Sequence, residues 1–184
     1  EPSVFKKMTV RDNLKAILEF LGTESDGINH RVMEILESFK LEHLAGNSAD
    51  SLSGGERRRL EIARALMTSP HFMLLDEPFS GVDPKSVEEL QSVIYQLRTH
   101  NLGILITDHS VRETLQVTDR SYLIYEGKVE LSGTAHDLVS DPRAREVYLG
   151  QRFYMDMTPD ERRAQGVSSN ETPAVKQKKE PKTK

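Results

Sequence analysis

Cysteine is absent from the 184 residues, which excludes disulfides and thiolate metal sites. Since a chain without cysteine folds in any compartment, that absence points only weakly to the cytosol. No apolar run approaches the roughly 20 residues that cross a bilayer, so any membrane role must pass through a partner. Basic charge is not in excess either. Twenty-five Lys and Arg against 29 Asp and Glu leave a formal charge of −4, with no whole-chain drive toward nucleic acid. Also missing is a G-x-x-x-x-G-K-[ST] string, the loop whose amides and Lys cradle nucleotide phosphates. The Gly127-Lys128 pair has Tyr122 where the first glycine would fall, and reads as a turn. The sequence opens at Glu1-Pro2 with no initiator Met and no targeting segment. The expectation is an N-terminally truncated protein, with a half-site module as the alternative.

What is present suits one soluble α/β domain followed by a tail. With 36% hydrophobic and 29% charged residues, the chain can bury a core. Val10, Leu14, Ile17, Leu18 and Leu21 recur at helical spacing behind Thr9, a candidate N-cap, and Gly22 ends the pattern. Ile28, Val32, Ile35, Leu36 and Phe39 repeat it, predicting two packed helices. From residue 51 helices alternate with short apolar runs, the pattern of parallel strands with crossover helices. A helix from Gly55 or Glu56 to about Pro70 leads into a buried strand at residues 72–75. Asp83 and Pro84 then start a helix whose stripe is Val87, Leu90, Ile94 and Leu97. Gly103 breaks this helix before a second buried strand at residues 104–107. Ser110-Val111-Arg112-Glu113 fits a capping box. Residues 121–125 and 128–132 read as a β-hairpin, and short helices follow near residues 134–139 and 142–149. From residue 168 onward there is no aromatic side chain, and five Lys stand against two Glu. Such a stretch cannot offset its ordering entropy and reads as a disordered, basic, solvated tail.

Chemistry concentrates at four places. Ser53, Gly54 and Gly55 precede a helix, where free amides and the dipole favour an anion and glycines admit a phosphate. A plain polar loop with an N-cap serine is the bland alternative. Asp76-Glu77 ends the first strand, the edge of an α/β sheet where ligands bind. There Asp76 could hold Mg²⁺, and Glu77 could orient and deprotonate a water. Asp83 caps a helix and can hydrogen-bond outward. His109 ends the second strand. Residues 57–59, all Arg, read as a solvated helix face. The remaining five histidines show no metal-ligand spacing.

Leu52-Ser53-Gly54-Gly55-Glu56 with the residues through Leu66, then Asp76-Glu77, Ser80-Gly81-Val82-Asp83 and Asp108-His109, resemble the second half of an ABC transporter ATPase. The resemblance spans about residues 1–153. Within that family it leans toward the ATPases of lipopolysaccharide export, through Glu1-Pro2-Ser3-Val4-Phe5, Thr9-Val10-Arg11-Asp12-Asn13-Leu14, Thr107-Asp108-His109-Ser110-Val111 and Val147-Tyr148-Leu149-Gly150. Branched-chain amino-acid importer ATPases are near relatives.

The resemblance implies the C-terminal portion of a P-loop NTPase, with a helical subdomain at about 4–67 that carries the signature loop. A Walker B to switch region would cover 68–120, a C-terminal hairpin with helices 121–153, and the tail 154–184. It implies ATP and Mg²⁺ as cofactors: Ser53, Gly54, Gly55 and Glu56 would contact the γ-phosphate side, and Asp76 the metal. Glu77 would be the general base, Asp83 the inter-subunit aspartate and His109 the γ-phosphate sensor. It further implies a homodimer beneath two membrane permeases, joined through coupling helices on the cytoplasmic face of the inner membrane. This chain alone would be inactive. A DNA-repair or chromosome-maintenance ATPase and a non-catalytic half-site module are the other classes; the first would bring a long heptad coiled coil, which the residues before Ser51 do not show.

Overall fold

The computed structural model describes residues 4–23, 25–99 and 102–144. Helix α1, Val10–Phe20, begins where Thr9 accepts a hydrogen bond from the Asp12 amide, and Gly22 leaves it at φ +73°. Its buried face, Val10, Leu14 and Leu18, packs on α2, Ser25–Ser38, through Ile28, Val32, Ile35 and Leu36. Asn13 on α1 is fully buried. Its Oδ1 accepts from the Phe5 amide at 2.8 Å, and its Nδ2 donates to the Phe5 and Thr9 carbonyls, so one side chain ties the preceding turn to α1.

Helix α3, Gly54–Leu66, starts one residue earlier than predicted. Ser53 and Glu56 form a reciprocal capping box, each side chain satisfying the other's backbone amide. Strand β1, Phe72–Asp76, pairs in parallel with β2, Gly103–Thr107, and α4, Pro84–Thr99, crosses between them. The core runs continuously from Leu14, Leu36 and Phe39 through Leu60 to Leu90 and Ile94.

Several expectations need correction. Neither strand is fully buried: Phe72, Leu74 and Leu105 are 59%, 71% and 48% exposed. Among the described residues the pair has only one covered face, formed by Met73, Leu75, Ile104 and Ile106 against the helices. Gly103 opens β2 rather than ending α4: it pairs with Phe72 in the parallel register, and its amide donates to the His71 carbonyl at 3.1 Å. Residues 57–59 are not a solvated face: the Arg59 side chain is only 5% exposed and is paired with Glu89 on α4. Ser110 makes no side-chain cap to α5, Val111–Val117; the Ser110 amide instead donates to Asp108 Oδ1.

The hairpin forms as predicted, with β3, Ser121–Tyr125, antiparallel to β4, Lys128–Gly133. Glu126 and Gly127 both take positive φ, as a two-residue primed turn demands. Helix α6, Ala135–Ser140, is opened by a second capping box, Thr134 with Asp137. The predicted helix at 142–149 is described only over Pro142–Ala144. The Val147-Tyr148-Leu149-Gly150 string and the tail at 154–184 lie outside the described residues.

Candidate functional site

The C-terminal ends of β1 and β2 bring Asp76, Glu77 and His109 together. Parallel register aligns Asp76 with Thr107, and the Thr107 hydroxyl donates to Asp76 Oδ1 at 2.5 Å. One residue on, the Glu77 amide donates to the Thr107 carbonyl at 2.6 Å, and Glu77 takes φ +45°, an uncommon conformation for a side chain of its size. The result turns the Glu77 carboxylate toward His109, whose Nδ1 lies 3.5 Å from Glu77 Oε1. Both side chains are more than half exposed, so a ligand can reach them.

Asp108 organises this corner without being exposed itself. Its fully buried carboxylate accepts from the Phe79 amide at 2.9 Å and the Ser110 amide at 2.8 Å. It thereby fixes the loop after Glu77 and the start of α5 from one point. Arg58 fixes the other side. Its Nη2 donates to the Asp76 and Glu77 carbonyls at 2.5 and 2.8 Å, while Nη1 pairs with Glu61 at 2.9 Å. Two successive carbonyls thus converge on one guanidinium at the left-handed turn of Glu77. The sequence reading missed both residues. Arg58 and Glu61 do stand at i, i+3, a spacing that signals an oriented guanidinium.

Between α3 and β1 lies an open cleft of about 710 Å³, lined by Gly54, Arg58, Glu61, Asp76, Glu77 and Gly81 among others. Of the predicted anion-binding residues, Ser53 and Glu56 are engaged with each other: the Ser53 amide donates to Glu56 Oε2 at 2.8 Å. Burial works to raise the Glu56 pKa, but the hydrogen bonds from Ser53, aided by Arg59 and His43, outweigh it and hold the carboxyl below its ordinary value. Gly54 has open space, with the Gly81 carbonyl nearest at 3.7 Å from where a Cβ would stand, whereas Gly55 lies against Ser86. Asp83 begins α4 by accepting from the Ser86 amide at 3.1 Å. The Ser86 hydroxyl first, and its amide second, keep the Asp83 carboxyl below the usual range.

Among the described residues no group of three His, Asp or Glu side chains could hold a metal unaided. Asp76 fits a different arrangement. With Oδ1 engaged by Thr107, it has one carboxylate oxygen left for a Mg²⁺ that takes its other ligands from phosphate and water. The carboxylate beside it, close to an imidazole, can accept a proton from a water.

Comparison with known proteins bears on the family of the chain. A family model described as ABC transporter matches residues 1–80. The chain is 50% identical over 153 residues to an uncharacterised ABC transporter ATP-binding protein of Rhizobium meliloti, covering 83% of this chain and 57% of that protein. It is also 50% identical, over 83% of this chain and 64% of the relative, to the lipopolysaccharide export system ATP-binding protein LptB of Acidithiobacillus ferridurans. To LptB of Escherichia coli K12 it is 47% identical with the same coverage. The chain thus spans about three-fifths of the length of these relatives. Among solved structures, an ABC transporter ATP-binding cassette in its ADP conformation superposes with TM-score 0.68 at 30% identity, over 79% of this chain and 64% of that one. CbiO1 of Clostridium perfringens, from a cbiONQ transporter complex, gives 0.71 at 25% identity, over 84% and 63%.

Proposed function

Because the chain belongs to the ABC transporter ATP-binding family, we propose that it is the C-terminal part of a nucleotide-binding subunit that hydrolyses Mg·ATP to drive lipopolysaccharide export. The observation that carries the hydrolytic reading is the Glu77 carboxylate held 3.5 Å from His109 at the sheet edge, next to Asp76. In this reading Glu77 orients the attacking water and takes a proton from it, His109 contacts the γ-phosphate, and Asp76 contributes one oxygen to Mg²⁺. The loop after Leu52 would face a nucleotide held by a second copy. The loop that cradles phosphates would come from residues outside this sequence, so this chain by itself would not turn ATP over. The domain division at 4–67, 68–120 and 121–153, with the tail beyond, follows the same reading.

Identity of 46–50% to LptB proteins supports the choice of lipopolysaccharide as cargo. The working assembly would be a homodimer under two membrane permeases on the cytoplasmic face of the inner membrane. No described helix is long and apolar enough to cross a membrane, so contact with the bilayer would run through those permeases.

Glu77→Gln in the complete gene product tests the hydrolytic half. ATP binding should persist while turnover drops by about 10² to 10⁴, the usual worth of a general base. Near-normal turnover would remove Glu77 from that role. Growth of LptB-depleted Escherichia coli on the complete gene tests the cargo, and failure of an expressed, ATP-hydrolysing protein to restore growth would count against lipopolysaccharide.

A further inference from the structure

Helices α3 and α4 meet at their first turns. A Cβ placed on Gly55 would stand 2.2 Å from Ser86 Cβ and 2.3 Å from Ser86 Oγ, closer than side-chain atoms approach one another in folded proteins. The obstacle is a Cβ, which no rotamer change moves aside. Any side chain at position 55 must therefore push the helices apart. Further along the same seam, the ion pair of Arg59 with Glu89 joins them again, with the Arg59 side chain almost wholly buried. Ser86 also faces the other way, holding the Asp83 carboxylate with its amide at 3.1 Å and with its hydroxyl. The two adjacent glycines thus differ in purpose. Gly54 borders open space, whereas Gly55 is small because its own chain leaves it no room.

We propose that Ser86 is a positioning residue that fixes the spacing between residues 53–56 and Asp83, its Cβ seated against Gly55 and its polar atoms holding the Asp83 carboxylate. The loop before α3 and the loop before α4 then shift as one body, and a nucleotide felt at one is felt at the other within the same chain. The functional consequence rests on the ATPase reading above; the seam itself does not.

Exchanging the two volumes tests it. Gly55→Ala, Ser86→Gly and the double variant are made in the complete gene product. Each is read by ATP turnover at saturating nucleotide and by amide hydrogen exchange over residues 53–57 and 80–87. Gly55→Ala should lower kcat by about tenfold or more, and Ser86→Gly in the same protein should restore most of it, because the lost Cβ makes room for the gained one. Each single change should raise exchange in both segments together while leaving α6 unchanged; the double variant, which restores the packing but lacks the Ser86 hydroxyl, should return residues 53–57 toward wild type and residues 80–87 in part. A double variant no more active than Gly55→Ala, or exchange that rises in one segment alone, overturns the proposal. If the wild-type protein hydrolyses no ATP, the ATPase reading has failed and the paired exchange response alone decides the seam.

Discussion

At the scale of single residues, the site depends on backbone geometry that side chains elsewhere enforce. Glu77 holds φ +45° although a non-glycine residue disfavours it, a cost on the order of 1–3 kcal/mol that its surroundings must offset. Arg58 does so by drawing the Asp76 and Glu77 carbonyls to one guanidinium that Glu61 keeps in place. If Glu77 is the general base as proposed, Arg58→Met in the complete protein should lower kcat by about tenfold or more, with little change in the KM for ATP, because binding groups remain and only that carboxylate is released. Equal losses in kcat and affinity would show that Arg58 serves nucleotide binding instead. Glu89→Ala makes a different demand. It strands the Arg59 charge in a nearly closed site, and the expected loss of about 3–5 kcal/mol should be visible in denaturant unfolding. A change below about 1 kcal/mol would mean that Arg59 reaches solvent after the substitution.

At the scale of elements, caps decide where helices begin. Two reciprocal capping boxes, Ser53 with Glu56 and Thr134 with Asp137, start α3 and α6. Ser53→Ala should cost about 1 kcal/mol of stability, separable by chemical denaturation from any effect on turnover. Both capping acids have depressed pKa values: Glu56 despite burial, and Asp137 through the Thr134 amide and then its hydroxyl. The sign follows from the direction of the shift. Each carboxylate contributes its full stabilisation above its ordinary value, 4.5 for Glu56 and 3.8 for Asp137, and loses it as pH falls through the lower folded value. Thermal unfolding scanned downward from pH 5 should show this acid-side loss, and Glu56→Gln should flatten part of it. An unchanged pH profile in Glu56→Gln would assign the acid sensitivity to other carboxylates.

At the scale of the whole molecule, the β1–β2 pair presents an unusual surface. Parallel strands are normally covered on both faces, yet Phe72, Leu74 and Leu105 project from one face largely exposed. On the reading that the chain is part of a longer subunit, residues outside this sequence would cover that face. Leu74→Lys measures this directly, since it should cost less than about 0.5 kcal/mol in the present chain and more than about 2 kcal/mol in the complete gene product. Equal small effects in both would leave that face open to solvent in the working protein.

The chain's pattern by itself determined most of the elements and where polar groups gather on them. Period-3.6 stripes behind Thr9 and before Phe39, short apolar runs ending in acids, and positive-φ turn residues at Glu126-Gly127 are all local signals, settled within a few residues of each other. Asp76, Glu77 and His109 were singled out by their place at strand ends together with the order of motifs that resembles an ABC ATPase, and the structure brings the three to one sheet edge. Only the tertiary structure decided how those groups are held. Arg58 reaches 18 and 19 residues along the chain, Arg59 reaches 30 to Glu89, and Asp108 reaches back 29 to Phe79. No periodicity encodes such partners. A run of three arginines reads as solvated from sequence because ionic side chains lose hydration on burial, and only the position of a carboxylate on a neighbouring helix reverses that balance. The same holds for Gly55: a glycine before a helix reads as room for a ligand until the packing of α3 on α4 puts Ser86 in that space.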